Sequence, residues 1–356
     1  MAYYFMTASK DATVYLQQPN QNTGLDEILE VSKIFYGTVK DVSRALLKFD
    51  VGHLSKSLSD GSVKMKNAYL VLKETESEEI PLDYTLYAYA ISGSWNMGKG
   101  TRFDEISTSG VTWKHREGDT KTEWLENNLA VGTTSNPNDG TGGTWYTYNA
   151  ASQSFNYSTA DISMDVTDML KAWMSGSIPN DGLMVKFAND KENDVNDYGI
   201  VKLFSKETHT IHEPKIIIGW DDQSYLTGSL SELVSDDIKV GITNLKKEYK
   251  VNTIISMRVF AREMYPLKTF TNSFAYNTIK YLPKNSYYQI RDFASNDVIV
   301  PFSEYSKISC DSNGNYITID FTNWQSDRVY KIEFKIDGIN GSQYIDTELT
   351  FNVVKD

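Results

Sequence analysis

The sequence predicts an all-β protein built from sandwiches in two domains. Three observations carry this. Apolar and polar residues alternate with a period of two in short runs rich in β-branched and aromatic side chains. Gly, Pro, Asn, Asp or Ser bounds each run. Helical periodicity is confined to short segments, so the strands do not alternate with long helices as they would in a βαβ fold.

The elements follow in order. Residues 45–51 and 67–73 read as strands, the first with a near-continuous apolar start, and 85–91, 182–187 and 215–220 alternate cleanly. One segment breaks the pattern. Across 165–176, Val166, Met169, Leu170 and Trp173 fall at i, i+3, i+4 and i+7, a single apolar stripe. Asp165 or Thr167 is placed to cap that helix and Gly176 to close it. Trp173 is expected to be buried with the stripe. A second short helical turn is expected at 26–31. Residues 132–143 read GTTSNPNDGTGG, an exposed loop inside the first domain. The first domain is expected to span 1–222, with a Ser/Asp-rich linker at 223–237 and a second domain at 238–356. The second domain has the size of an immunoglobulin-like sandwich. Its strands are expected at 253–262, 287–290, 298–302, 316–321, 330–336 and 348–353. Asp311-Ser312-Asn313-Gly314 is a hairpin turn signal.

Composition narrows the function classes. The chain has 356 residues, with 35 Lys+Arg against 47 Asp+Glu and a formal charge of -12. A net negative field repels phosphate, which argues against non-specific nucleic-acid binding. The start, MAYYFMTASK, has no basic n-region and no apolar core, so it does not read as a secretory signal. No run approaches the length needed to span a membrane. The single cysteine, Cys310, cannot form an intramolecular disulfide or a thiolate cluster, so synthesis in a reducing cytoplasm is expected.

Ser43-Arg44-Ala45-Leu46-Leu47-Lys48-Phe49-Asp50-Val51 resembles the "RxLLKFDl" strand of the DNRLRE-type domains of microbial surface proteins, which are similar to carbohydrate-binding-module jelly rolls. Residues 68–72 and 84–90 resemble the next two strands, and Trp95 with Val111-Thr112-Trp113 resembles a "W…vTW" element. Asp165-Val166-Thr167 with Trp173 and Gly176 resembles a "DVT…W..g" helix, and residues 182–186 and 204–214 resemble the closing strands. The likeness covers residues 10–222, with an insertion near 114–150 and a divergent first strand. It implies an N-terminal jelly-roll sandwich with one or two short helices. The second half, at 287–292, 298–302, 311–316, 328–332 and 351–354, resembles a module of virion proteins of large tailed phages.

Catalytic and metal constellations are sparse. His209 and His212 are three apart, which on a strand points them to opposite faces, so a polar loop is the simpler reading. Asp190, Glu192 and Asp194 offer oxygens at alternating positions, the pattern of a weak Ca²⁺ site. The EF-hand template fails there, with Val195 at its glycine position and Val201 at its glutamate position, and a plain acidic loop is the simpler reading. Trp95, Trp113, Trp124, Trp145 and Trp173 either stack on sugars or fill a core and an interface; the second is the simpler reading. Trp145-Tyr146-Thr147-Tyr148 is the stretch expected to be exposed, and Asn138, Trp145, Tyr146 and Tyr148 are the candidate interaction residues. No spacing selects a nucleophile–base set, a carboxylate pair or a phosphate loop. No cofactor is implied.

The resulting expectation is a non-enzymatic structural component of a tailed-phage virion, at the neck, tail or fibre-attachment region. Its partners would be other virion proteins in a symmetric, multi-copy assembly, with neither nucleic acid nor membrane. The alternative is a carbohydrate-binding adhesion module, which would add a glycan as partner.

Overall fold

A computed structural model describes residues 3–52, 54, 65–78, 83–126, 128–135, 140–156, 161–235, 237–267, 278–338 and 341–355. The strands among them are β1 (Tyr3–Tyr15), β2 (Ile28–Tyr36), β3 (Val39–Phe49), β4 (Met65–Leu72), β5 (Glu74–Glu78), β6 (Tyr84–Ala90), β7 (His115–Glu117), β8 (Thr122–Glu123), β9 (Thr133–Thr134), β10 (Trp145–Tyr146), β11 (Ala151–Phe155), β12 (Ile162–Asp165), β13 (Leu183–Phe187), β14 (Gly199–Phe204), β15 (Lys215–Trp220), β16 (Ser231–Glu232), β17 (Ile238–Ile242), β18 (Glu248–Lys250), β19 (Ile254–Glu263), β20 (Lys280–Tyr281), β21 (Ser286–Asp292), β22 (Val298–Val300), β23 (Ser309–Asp311), β24 (Gly314–Asp320), β25 (Arg328–Gly338) and β26 (Gly341–Val354). The protein is an all-β sandwich fold with short helices, as the alternation predicts. Two compact units divide it: residues 1–5, 64–66 and 218–356 form one, and residues 6–63 and 67–217 the other.

In the unit of residues 6–217, the strand order is β11-β6-β13-β3-β1-β15-β4-β12, with β2 beside β3, β14 beside β2, and β5 beside β14. The pairing of β6 with β13 sets Leu86 opposite Phe187, Ala88 opposite Val185 and Ala90 opposite Leu183, so three buried residues of β6 meet buried residues of β13, whose other two buried residues, Met184 and Lys186, face the half-buried Tyr89 and Tyr87. β6 sets the register, because a slip of one residue would turn its alternate buried positions to its half-buried face.

The helical segment is Thr167–Ser175. Its N-cap is Val166, with no side-chain cap bond, so neither Asp165 nor Thr167 caps it as expected. Thr167 is already the first helical residue, and Asp165 Oδ1 accepts from the Thr167 backbone N–H at 2.9 Å. Gly176 closes the far end as expected, in the left-handed conformation at φ 73°. Met169, Leu170 and Trp173 are buried beside Val166. Trp173→Ala is expected to cost about 3–5 kcal/mol in denaturant unfolding, the range for truncating a buried large aromatic; a cost below about 1 kcal/mol would contradict its place in the core.

The helical turn expected at 26–31 is absent: β2 runs through it from Ile28. Leu29 and Val31 alternate into the core, and backbone pairing to β3 on one side and β14 on the other outweighs the local signal.

One buried carboxylate sits at the margin of this core. Asp11 on β1 is 1% exposed and accepts from the Lys206 backbone N–H at 2.5 Å. Burial pushes its pKa up to about 7; the Lys206 contacts oppose the shift, and Glu207 and Glu213 add to it. A carboxyl whose folded pKa is raised contributes stability that is fully present below its unfolded value and is lost as pH rises through the folded value. Unfolding free energy is therefore expected to fall between about pH 4 and pH 7 through this group. Asp11→Asn keeps the acceptor and removes the charge, so it is expected to flatten that slope and to add on the order of 2 kcal/mol at pH 8. Parallel urea titrations of both proteins at pH 5 and pH 8 measure this, and an unchanged slope in the variant would exclude Asp11 as its source.

The unit containing 218–356 has a four-stranded sheet, β17-β19-β24-β23, and a five-stranded sheet, β18-β26-β25-β21-β22. Its core is aromatic: Phe321 lies against Tyr249 at 5.4 Å, Trp324 at 5.1 Å and Phe351 at 5.5 Å. Tyr288, Tyr330 and Phe334 of this half are buried as well, whereas Tyr265, Phe293 and Tyr344 are exposed. The expected hairpin is present, with Asp311 paired to Gly314, Asp311 Oδ1 accepting from the Asn313 N–H, and Gly314 at φ 114°. Residues 223–237, read above as a linker, carry β16, a bridge from Tyr225 to Cys310 and a buried Leu233.

Candidate functional site

The candidate interaction residues separate. Asn138 lies outside the described residues. Tyr146 is half-buried on β10, opposite Thr133, and Tyr148 is exposed, with its ring edge-on to Tyr146 at 5.5 Å. Trp145 corrects the expectation. It is 2% exposed, because alternation along β10 turns it inward while Tyr146 turns out.

Trp145 belongs to a buried ionic cage. Arg44 on β3, Lys186 on β13 and Glu192, at the end of the helical turn Asn189–Glu192, have fully buried side chains. Arg44 grips Glu192 with two bonds, Nε to Oε1 at 3.1 Å and Nη2 to Oε2 at 2.7 Å. Lys186 Nζ lies 3.0 Å from Glu192 Oε2 and also donates to Asn189 Oδ1 and the Phe187 carbonyl, which uses all three ammonium hydrogens. Indole faces close the cage: the Arg44 guanidinium is 4.6 Å from the Trp113 ring and Lys186 is 4.6 Å from the Trp145 ring. Arg44 Nη1 donates to the Gly142 carbonyl at 2.7 Å, tying the glycine-rich loop to the sheet. Burial acts to raise the Glu192 pKa, but Arg44 and Lys186 overcome it and hold the carboxyl below its usual value.

The cage corrects the Ca²⁺ candidate. Glu192 is committed to two cations in the interior, Asp190 is exposed, and Asp194 accepts from the Tyr198 hydroxyl at 2.7 Å and lies 3.8 Å from Lys33. The three carboxylates do not converge, and among the described residues no three His, Cys, Asp or Glu side chains form a metal-binding group. His209 and His212 also part company, His209 being near Glu27 and His212 packing on Phe204 at 5.2 Å.

A surface cleft of about 480 Å³ is the other constellation in this unit. Its floor is a cross-strand ladder. Lys202 on β14 pairs with Glu30 on β2 and with Glu76 on β5, so these three side chains share a face. Tyr15, Asp26, Glu27, Arg102 and Phe103 complete the wall. Arg102 Nη1 bonds both oxygens of Glu30 at 2.5 Å, and its guanidinium stacks 4.4 Å from the Tyr15 ring. Asp26 Oδ1 accepts from the Arg102 backbone N–H at 3.0 Å. Burial raises the Asp26 pKa, the Arg102 N–H bond opposes the shift, and Glu30 adds to it.

The loop carrying Arg102 and Phe103 is organised by Asn22, which is fully buried. Asn22 Nδ2 donates to the Met97 and Val111 carbonyls, both at 2.8 Å, and Oδ1 accepts from the Gly100 N–H at 2.8 Å and the Gly24 N–H at 3.3 Å. Glycine is required around it: at Gly98, φ is +79° and a Cβ would sit 2.3 Å from the Ser109 carbonyl oxygen. The sequence reading missed Asn22 and the cleft. The dense glycines at 98, 100 and 110 were the available signal.

Comparisons with known proteins name no family. No family model matches the chain, and no curated protein matches it. Two solved structures show faint similarity. A DUF4785 family protein from Legionella pneumophila is 7% identical with a TM-score of 0.19, over 98% of this chain and 66% of that one. A β-glucuronidase from Parabacteroides merdae is 7% identical with a TM-score of 0.15, over 82% of this chain and 29% of that one. The chain thus spans less than two thirds of either neighbour's length.

Proposed function

We propose that the chain is a non-enzymatic structural component of a tailed-phage particle, at the neck, tail or fibre-attachment region, and that it works through contacts with other virion proteins. The observation that supports this reading is where the apolar side chains are left over. Both units have well-filled cores, yet Phe103 is 88% exposed, Ile106 75%, Tyr265 77% and Leu267 88%. Large apolar groups held in water at that level contribute little to folding, and in pairs on loops or strand ends they are what an interface covers. The buried ionic cage supports the same reading. Its two cations share one carboxylate and tie β3, β13 and the turn Asn189–Glu192 together in the interior.

The five tryptophans considered for a sugar platform, Trp95, Trp113, Trp124, Trp145 and Trp173, are all buried, so they do not supply stacking faces for a glycan. Mass spectrometry of purified particles tests the proposal. The chain is expected in fixed stoichiometry with the other tail or neck proteins, and in the reconstructed particle Phe103 and Leu267 are expected to lie against neighbours. Absence of the chain from particles would overturn the reading.

A further inference from the structure

We propose that the cleft around Arg102 is a docking socket for a basic side chain of a partner protein, with the exposed Phe103 ring as its apolar rim. This rests on the interaction role proposed above and specifies the chemistry of one contact. The charge balance is the first argument. Asp26, Glu27, Glu30 and Glu76 face Arg102 and Lys202 in this one cleft. Both cations are already committed, Arg102 to Glu30 and Lys202 to Glu76 at 3.6 Å. Asp26 and Glu27 are left as the surplus, with the exposed His209 3.6 Å from Glu27.

The second argument is independent of charge. Phe103 stands at the mouth of the cleft and is 88% exposed, while its loop is held by the fully buried Asn22. An exposed aromatic beside a cleft with surplus carboxylate is matched by a side chain with an apolar stem and a cationic head, which is the structure of Lys and Arg. The third argument selects the partner. A second copy of this chain carries the same formal charge of -12, so approach of copies is opposed at long range, whereas a basic surface is steered in.

The full-length protein is titrated with hexa-arginine amide at low salt and followed by calorimetry. The Asp26→Asn/Glu27→Gln variant is expected to weaken binding by at least about tenfold, and Phe103→Ala by about threefold or more. The control is Asp168→Asn/Asp190→Asn, which removes two exposed carboxylates outside the cleft and is expected to leave affinity within about twofold. Equal loss in both double variants would mean that the peptide only senses net charge, and would overturn the socket. So would the absence of binding at millimolar peptide, or binding of a neutral oligosaccharide in its place. Near-native circular dichroism of each variant keeps misfolding from being read as lost binding. A chain found in particles that fails this titration removes the socket and leaves the structural role. A chain absent from particles that passes it removes the role and leaves the socket.

Discussion

Glu192→Gln is expected to destabilise the protein by about 3–5 kcal/mol, the cost of leaving buried charges without their counter-charge. The side chain keeps its volume, so no cavity confounds the result. What changes is that Arg44 and Lys186, both fully buried, remain positively charged with no anion between them. The amide can still accept one hydrogen bond, but it returns none of the Coulomb attraction. Stability also acquires a pH signature. Glu192 is held below its usual value of 4.5, so its contribution is present above that pH and is lost as pH falls through the lower folded value. The wild type is expected to lose stability steeply in that acid range, and the variant to lack that component. The window lies below the one expected from Asp11, and the slope has the opposite sign, so one pH series in urea separates the two. A triple replacement, Arg44→Met/Lys186→Met/Glu192→Leu, removes the charges together and is expected to be far less costly than the single change. If the single and triple variants cost the same, packing rather than charge pairing dominates the cage.

The cage also shows where sequence reasoning reached its limit. β6 was legible because alternation and burial coincide: it reads YTLYAYA and its buried positions are every second residue. Lys33, Arg44 and Lys186 break that logic. Each is a cation in a strand, the position that alternation assigns to solvent, and each is fully buried. Nothing local marks them, because the groups that make burial tolerable are distant in sequence: Glu192 for Arg44, and the Asn196 carbonyl for Lys33. The acidic run 190–194 was visible and read as a plain acidic loop, with a weak Ca²⁺ site as the alternative; neither reading places Glu192 in the interior against cations of the same chain. Trp145 failed for the same reason. Beside a Gly-rich loop it reads as exposed, and the groups it packs against on its inward side, Lys186 and the buried apolar cluster with Trp113, are distant in sequence. Helix 167–175 succeeded because its stripe and its closing Gly176 are local; only the residue at its N-cap, Val166, differs from the expected one.

Asn22→Ala is expected to be the second large effect, on the order of 4 kcal/mol, with the loss concentrated in the loop that shapes the cleft. The side chain uses both amide hydrogens and its oxygen on four backbone groups, at Gly24, Met97, Gly100 and Val111. Alanine leaves those groups in the interior with no partner, and each buried unsatisfied polar group costs about 1–3 kcal/mol before relaxation. Relaxation is restricted here. Gly98 and Gly110 already pack backbone to backbone, where a Cβ on Gly110 would lie 2.3 Å from the Gly98 Cα. The loop therefore has two options, to keep its shape and bear the cost or to open. Opening exposes residues 97–111 and releases Arg102 from Glu30 and Phe103 from its place at the cleft mouth. Hydrogen exchange distinguishes these outcomes. The Gly100 amide, which donates to Asn22 Oδ1, is expected to exchange at least about a hundredfold faster in the variant, as local opening replaces global unfolding as its route to solvent. Amides of β25, in the other compact unit, are expected to keep their wild-type protection as long as the variant remains folded. Unchanged exchange at Gly100 would mean that the glycine packing alone holds the loop, and that Asn22 merely fills space. Asn22→Asp is the informative companion: it keeps the acceptor for Gly24 and Gly100 but cannot donate to Met97 and Val111, so it is expected to leave the Gly100 amide protected while still lowering stability.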